Sequence, residues 1–182
     1  MWMRHCGGGS RALRVVRGRF AGRDLVSPGA RVRSTSEAVR DHWLTALEDY
    51  LEGARVLDLF AGSGALGVEA LSRGAARADF VENGPASLHA LKANVAVFRL
   101  KNLTRIFRRD AIPFVEGLDA DTYDIAFADP PYGSRKLDRV IAQWMDVRFS
   151  RVLSVEHRSD HEVPATGVTH HHGQTRVTIF GL

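Results

Sequence analysis

Short apolar runs and helical apolar patterns alternate along most of the chain. Residues 55–60 and 123–128 are nearly continuous apolar runs with one acid each, which is typical of strands buried on both faces of a sheet. Further strands are predicted at 78–82, 104–108, 151–156 and 174–180, and helices at 65–73, 85–99 and 137–145. This alternation predicts a doubly wound α/β domain whose ligands lie beyond the carboxyl ends of the strands.

The N-terminal part of the chain has a different pattern. Apolar residues recur at helical spacing over 35–51, which predicts an amphipathic helix before the core. Two β-prone pieces, 13–17 and 23–26, flank a turn and predict a hairpin. We therefore expect a disordered leader at 1–10, a basic hairpin extension at 11–33 and one catalytic domain at 34–182.

Charge is concentrated in the predicted hairpin. The chain carries a net charge of +4 and has a pI of about 9.7. Between Arg11 and Arg33 there are seven arginines and one acid, Asp24, which permits nucleic-acid binding without establishing it. No apolar run approaches the roughly 18 residues of a membrane span, and the first residues lack the apolar stretch of a secretory signal, so we expect a cytoplasmic protein.

The remaining composition narrows the chemistry. The single cysteine, Cys6, lies in a Gly-rich tail and argues against a cysteine nucleophile. The run His170–His172 lacks acidic or cysteine partners at ligand spacing, so no metal site is predicted and the run is expected to form a polar turn. Segment 157–173 has the least certain pattern.

A Gly-rich turn follows the first buried strand. The pattern Gly62-x-Gly64-x-x-Gly67 lets the backbone approach a ligand closely at a helix N-terminus. By itself this pattern also fits a dinucleotide site or a tight turn without a ligand. Asp58 favours a different cofactor, because an acid in an apolar strand needs a partner and the ammonium group of S-adenosylmethionine supplies one. A pyrophosphate would be repelled by the same acid.

Two later acids complete the predicted cofactor site. Glu82, at the end of the second strand, would accept hydrogen bonds from the two ribose hydroxyls, or it is a solvated strand-terminal acid. Asp110, with Ala111 beside it, would meet the adenine amino group, or it caps a helix that begins before Ile112.

The tetrapeptide Asp129-Pro130-Pro131-Tyr132 follows the fourth strand and lies on the same sheet edge as the Gly-rich turn. Two prolines fix the backbone and hold the preceding carbonyls rigidly as acceptors. The Asp129 carboxylate and the Pro130 carbonyl could accept both N–H bonds of a base amino group and localise its lone pair for attack on a methyl group. Tyr132 would stack on the base. The alternative is an ordinary rigid turn.

Together these segments resemble the bacterial methyltransferases of small-subunit ribosomal RNA that modify the 2-amino group of a guanine. Residues 15–23 are similar to that family's N-terminal hairpin, 33–40 to its Arg-Pro-Thr-x-Asp-x-Val-Arg signature, and 57–67 and 129–132 to its cofactor and catalytic motifs. Ser34 and Glu37 depart from the usual Pro and Asp, which weakens a cofactor role for Arg33 and Thr35.

The resemblance implies a seven-stranded Rossmann-like class I methyltransferase fold, S-adenosylmethionine as donor, and ribosomal RNA, alone or within the small subunit, as substrate. The hairpin arginines would then contact phosphates, which position an RNA without reading its sequence. The RNA-binding candidates are Arg14, Arg17, Arg19, Arg23 and Arg33. The cofactor-binding candidates are Thr35, Asp58, Phe60, Ala61, Gly62, Ser63, Gly64, Glu82, Asn83, Asp110 and Ala111.

Three other functions stay open at this point. A DNA adenine methyltransferase shares the tetrapeptide but usually carries a separate target-recognition domain, for which this chain has no room. An NAD-dependent dehydrogenase would rest on the glycine pattern alone. A non-catalytic RNA-binding module would keep the fold and lack methyl transfer. A monomer is the default expectation.

Overall fold

A computed structural model describes residues 13–29 and 35–182. Its seven-stranded sheet has the order β5-β4-β3-β6-β7-β9-β8, and a separate two-stranded hairpin is formed by β1 and β2. The strands are β1 Leu13–Arg14, β2 Asp24–Leu25, β3 Arg55–Leu59, β4 Arg77–Glu82, β5 Thr104–Arg108, β6 Tyr123–Ala128, β7 Ser150–Arg158, β8 Val168–His172 and β9 Thr175–Phe180. The helices are α1 Glu37–Thr45, α2 Glu48–Leu51, α3 Ala65–Ser72, α4 Pro85–Val97, α5 Ala111–Glu116 and α6 Lys136–Val147.

Strands β3, β4, β5, β6 and β7 run parallel to one another, and β9 is antiparallel to both β7 and β8. The predicted doubly wound α/β class and the small hairpin are therefore confirmed. Strand β3 lies between β4 and β6, so the order of the strands reverses around it. The crevice outside the carboxyl ends of strands at such a point is the ordinary ligand site of open α/β sheets.

Two apolar clusters cover the two faces of the sheet. Trp43, Phe80 and Leu91 belong to the cluster on the side of α1, α3 and α4, whereas Val140 and Trp144 belong to the cluster on the side of α5 and α6. Both faces are covered, which explains why the central strands read as nearly continuous apolar runs.

Several predicted boundaries differ from the structure. The single helix expected over 35–51 is two helices, because Leu47 leaves the helical conformation with φ −114° and ψ 9°. The prediction of a polar turn at His170–His172 is wrong, since these residues form β8 and pair with β9. The turn comes one residue later, at Gly173, whose φ of +63° favours glycine. The leader 1–10 lies outside the described residues.

Candidate active site

The loops after β3 and β6 meet in one cavity of about 520 Å³. Strands β3 and β6 are hydrogen-bonded neighbours, with Leu59 opposite Ala128 at their carboxyl ends. The residues that follow these two positions therefore leave the sheet side by side. Of the predicted site residues, the following line this cavity: Thr35, Asp58, Phe60, Ala61, Gly62, Ser63, Glu82, Asn83, Asp129, Pro130, Pro131 and Tyr132.

Asp58 is a buried acid on β3, and it faces α3 rather than α6. Its Oδ2 accepts a hydrogen bond from Gly67 N, in the first turn of α3, at 3.0 Å. Burial raises the pKa of the Asp58 carboxyl well above its ordinary value; the charges of Asp129 and Glu82 raise it further, and the Gly67 N–H opposes the shift. A cationic ligand in the cavity would reverse this cost, because it would favour the charged carboxylate.

The glycines of the loop have different tasks. Gly62 lines the cavity with a φ of +55°, and an added Cβ there would come no closer than 4.0 Å to its nearest neighbour. A Cβ on Gly64 would approach Leu91 to 2.4 Å, and one on Gly67 would approach Phe80 to 2.4 Å. The first glycine therefore shapes the ligand side of the turn, whereas the other two let α3 pack tightly on the sheet.

Glu82 is held by the backbone at the end of β4. Its Oε2 accepts from Gly62 N at 2.8 Å, and its Oε1 accepts from Asn83 N at 2.8 Å and Gly84 N at 2.6 Å. The carboxylate is thus fixed at the cavity wall and is not a solvated strand end. A carboxylate offers about four acceptor positions, so three backbone donors leave capacity for a ligand hydroxyl.

Asp110 and Ala111 lie at the start of α5 and are not among the residues that line the cavity. Asp110 is the N-cap of α5 and accepts from Ile112 N at 3.0 Å, which is the alternative weighed from the sequence. Its carboxylate also contacts Lys136 Nζ at 2.7 Å, and this ammonium lowers the pKa of Asp110. Lys136 does line the cavity, with Nζ 5.7 Å from the Phe60 ring centroid. The sequence patterns did not single it out.

The tetrapeptide is joined to other segments through hydroxyl groups. Thr35 Oγ1 lies 2.7 Å from Asp129 Oδ2 and 3.0 Å from Glu156 Oε2, so one hydroxyl bridges two carboxylates. The Tyr132 hydroxyl donates to Glu156 Oε1 at 3.2 Å. The structure therefore places Thr35, whose role the departures from the family signature had weakened, directly beside Asp129.

Glu156 is a residue of the site to which the sequence patterns assigned no role, although its place at a strand end left a substrate contact open. It is 1% exposed and lies near the carboxyl end of β7. A signal was present, because an acid within the apolar strand 151–156 needs a partner for the same reason as Asp58. Its partners Thr35 and Tyr132 come from segments distant in sequence, so the pattern alone could not name them.

A second cavity of about 390 Å³ lies on the other side of the tetrapeptide. It shares Pro130, Pro131 and Tyr132 with the first cavity and is closed by residues of β7, including Glu156 and Arg158. The Arg158 guanidinium carbon lies 6.0 Å from the Tyr132 ring centroid. The tetrapeptide therefore separates two cavities, one lined by the Gly-rich turn and one lined by residues of β7.

Known proteins share this architecture. A family model described as Conserved hypothetical protein 95 matches residues 13–180. Ribosomal RNA small subunit methyltransferase D of Escherichia coli is 37% identical over 136 residues, 73% of this chain and 67% of that protein. The chain belongs to this methyltransferase family. YlbH of Bacillus subtilis is 31% identical over 85% of this chain and 87% of its own length.

The family's fold extends to solved structures. The structure of Escherichia coli yhhF superposes with a TM-score of 0.79 at 32% identity, covering 92% of this chain and 96% of that chain. The resemblance inferred from the motifs is confirmed, as are the class I methyltransferase fold and S-adenosylmethionine as the cofactor. Within residues 13–29 and 35–182, no helix has the length and apolar character to cross a bilayer.

Four of the five predicted RNA-binding arginines can be located, and Arg33 lies outside the described residues. Arg14 lies 3.7 Å from Glu37, and Arg17 pairs with Asp41 at 2.7 Å, which raises the pKa of Arg17. Arg19 lies over the Phe20 ring at 4.6 Å, and Arg23 lies over the Phe98 ring at 4.4 Å. These arginines differ in how firmly the protein itself engages them.

A buried ion pair fixes the hairpin to the catalytic domain. Glu69 on α3 accepts from Val16 N at 2.8 Å and Arg17 N at 2.7 Å, and its Oε2 lies 3.4 Å from Arg40 Nε. The Arg40 and Glu69 side chains are both 0% exposed. Arg40 also donates to the backbone carbonyls of Arg14 and Thr35. Arg40, the last arginine of the family signature, thus connects the hairpin, α1 and α3.

Proposed function

We propose that this protein transfers a methyl group from S-adenosylmethionine to the exocyclic 2-amino group of a guanine in 16S ribosomal RNA, on the small subunit or an assembly intermediate. One observation carries the reaction type: Asp58 and Asp129, which belong to adjacent strands, line the same cavity. The first suits a cationic cofactor, and the second suits an amino-group substrate.

The cavity fits the cofactor in size and in its charged groups. Asp58 would receive the methionyl ammonium, and Glu82 would accept the ribose hydroxyls beside Gly62 and Asn83. Phe60, with a φ of 58°, turns the chain sharply out of β3 and places Ala61 and Ser63 at the cavity wall. When bound, S-adenosylmethionine supplies a methyl group on a sulfonium, which leaves as a neutral thioether.

The tetrapeptide would orient the attacking nitrogen. The Asp129 carboxylate and the Pro130 carbonyl accept the two N–H bonds of the base amino group, and Thr35 keeps the Asp129 carboxylate in place. The nitrogen lone pair then forms the new N–C bond as the C–S bond breaks. One amino proton passes to the Asp129 carboxylate, which leaves a neutral secondary amine. Positioning supplies most of the acceleration, since the methyl group is already activated.

The proposal of a ribosomal RNA substrate is supported by observations outside the cavity. The Escherichia coli relative is named for ribosomal RNA of the small subunit. The hairpin adds exposed arginines on the outside of the domain, which suit phosphate contacts. The chain acts as a monomer in this proposal, with the boundaries 11–33 for the hairpin and 34–182 for the catalytic domain.

Asp129→Ala tests the proposal. We expect methyl transfer to fall by about 10²- to 10³-fold, the loss typical of removing one group that orients the reacting atoms. Radiolabelled methyl transfer to purified small subunits and to naked RNA measures the loss, and nucleoside analysis of the product identifies the base. Cofactor affinity, measured by calorimetry, should stay at the wild-type value.

The exposed loop residue Asp119, changed to Asn, is the matched control and should keep full activity. Substantial residual activity of Asp129→Ala would contradict the role of the carboxylate. A product other than N2-methylguanosine would contradict the substrate, and binding of NAD in place of S-adenosylmethionine would contradict the cofactor site.

A further inference from the structure

The second cavity places a buried carboxylate next to the reaction centre. Pro130, Pro131 and Tyr132 line this cavity together with Glu156. The Tyr132 hydroxyl donates to Glu156 Oε1 and lies 3.1 Å from Thr175 Oγ1. These two contacts fix the position of the ring, which lines both cavities. Pro130 lines both cavities, so a group entering here meets the tetrapeptide from the side of β7.

We propose that this cavity receives the target base and that Glu156 is the residue that selects guanine, by accepting the N1–H of its Watson–Crick edge. This inference rests on the proposed function. Glu156, on β7, would distinguish guanine from other bases, whereas the tetrapeptide would bind only the amino group that reacts.

Guanine differs from the other bases that carry an amino group in its hydrogen-bond donors. Next to its 2-amino group, guanine presents a second donor, N1–H. Adenine and cytosine present an acceptor nitrogen beside their amino groups, and an acceptor placed against a carboxylate is repelled. Two neighbouring carboxylates therefore favour guanine, since it alone among these three offers donors to both.

The spacing of the carboxylates supports this assignment. One hydroxyl, Thr35 Oγ1, lies within hydrogen-bond distance of both Asp129 Oδ2 and Glu156 Oε2, so the two carboxylates flank the same atom. N1 and the 2-amino nitrogen of guanine are bonded to the same ring carbon and are likewise adjacent. A carboxylate has about four acceptor positions, so the hydrogen bonds from Thr35 and Tyr132 do not by themselves fill those of Glu156.

The walls of the cavity suit a planar base. Tyr132 offers a ring face, and Arg158 lies over that face with its guanidinium held by Asp160 at 3.0 Å through two nitrogens. RNA bases removed from their stack are commonly held against aromatic rings and guanidinium planes. His157 contributes no charge to this wall: its Nε2 bonds to Thr178 Oγ1 at 2.8 Å, and burial lowers its pKa.

An RNA with 2-aminopurine at the methylated position tests the inference. This base keeps the 2-amino group but has an acceptor at N1. Wild-type protein should methylate the guanine substrate about 10- to 100-fold more efficiently in kcat/KM, the range that one base-edge contact provides. Glu156→Gln should lower this preference to near unity, because its amide can donate to N1 of 2-aminopurine.

Three controls separate the outcomes. Glu162→Gln, an exposed acid six residues away, should keep the wild-type preference, and Glu156→Asp should keep the direction of the preference at a lower rate. Cofactor affinity reports whether each variant is folded. If Glu156→Gln is inactive on both RNAs, competition binding of the same RNAs gives the ratio instead.

A wild-type protein that methylates both bases equally well, or a glutamine variant that keeps the wild-type ratio, would overturn the role of Glu156 and leave the proposed function intact. A wild-type product other than N2-methylguanosine would overturn the proposed function itself, together with this inference. 2-Aminopurine also lacks the O6 atom of guanine. This difference affects the preference ratio of the wild type and of each variant alike, so it does not change the comparison between them.

Discussion

Four carboxylates converge at the carboxyl ends of the sheet, whereas the N-terminal hairpin carries exposed arginines. Asp58, Glu82, Asp129 and Glu156 lie in the last residues of β3, β4 and β7 or directly after β6, and they line the two cavities. The hairpin arginines lie outside the domain, where Arg17 pairs with Asp41 and Arg19 lies over Phe20. One region is acidic and recessed, and the other is basic and open.

This difference follows from the ligands each region would meet. A buried carboxylate is stable only with donors or a cation beside it, so the acids of the cavities select particular chemical groups. Exposed arginines interact through a screened field, so they attract a polyanion with little selectivity. The hairpin would therefore contribute affinity for RNA, and the cavities would contribute cofactor choice, base choice and catalysis.

The largest effect should come from the contact between the two regions. Glu69→Gln leaves buried Arg40 without its carboxylate, and breaking a buried ion pair typically costs about 3–5 kcal/mol of unfolding free energy. Urea unfolding measures the change. Glu162→Gln should unfold like the wild type, and an equally small change in Glu69→Gln would mean that the hairpin is not anchored through this pair.

A smaller loss, in cofactor affinity, is expected from a substitution in the acidic cavity. Asp58→Asn keeps an acceptor for Gly67 N and removes the charge that would meet the methionyl ammonium. Truncating one partner of a buried charge pair costs about 2–5 kcal/mol of binding, so S-adenosylmethionine affinity should fall by at least about 30-fold in calorimetry. Asp119→Asn is the matched control. Unchanged affinity would mean that the methionyl ammonium does not bind at Asp58.

The pH dependence of stability should reveal the same acid. Because burial raises the pKa of Asp58 in the folded protein, the folded state keeps a proton that the unfolded state loses between the ordinary and the raised value. This contribution to stability is fully present below the ordinary pKa and is lost as pH rises through the raised value. The free energy of unfolding of Asp58→Asn, measured by urea unfolding across this pH range, should lack this loss. Parallel pH profiles of the wild type and the variant would contradict the prediction.

The smallest effect should come from a single hairpin arginine. Arg19→Ala should weaken binding to ribosomal RNA a few-fold and reduce the salt dependence by about one counterion, while methylation at saturating RNA stays unchanged. Arg77→Ala, exposed at the amino end of β4, is the control on the opposite sheet edge. If both variants bind alike, the hairpin is not the RNA-facing side.

The sequence by itself determined the alternation of strands and helices around the parallel strands β3 to β7, together with the positions of Asp58, the Gly-rich turn and the tetrapeptide. These features are local, because a buried strand must be apolar and a sharp turn or a fixed carbonyl requires glycine or proline at set positions. The same local reasoning left the role of Asp110 undecided, since an acid after a strand suits a ligand and a helix N-cap equally well.

Only the tertiary structure decided which distant residues meet. It paired Arg17 with Asp41, made His170–His172 an edge strand beside β9, and joined Asp129 and Glu156 through Thr35. The physical reason is that a buried charge or hydroxyl requires a partner without specifying where in the sequence that partner lies. Chain folding brings the partner into place, and with it the wall between the two cavities.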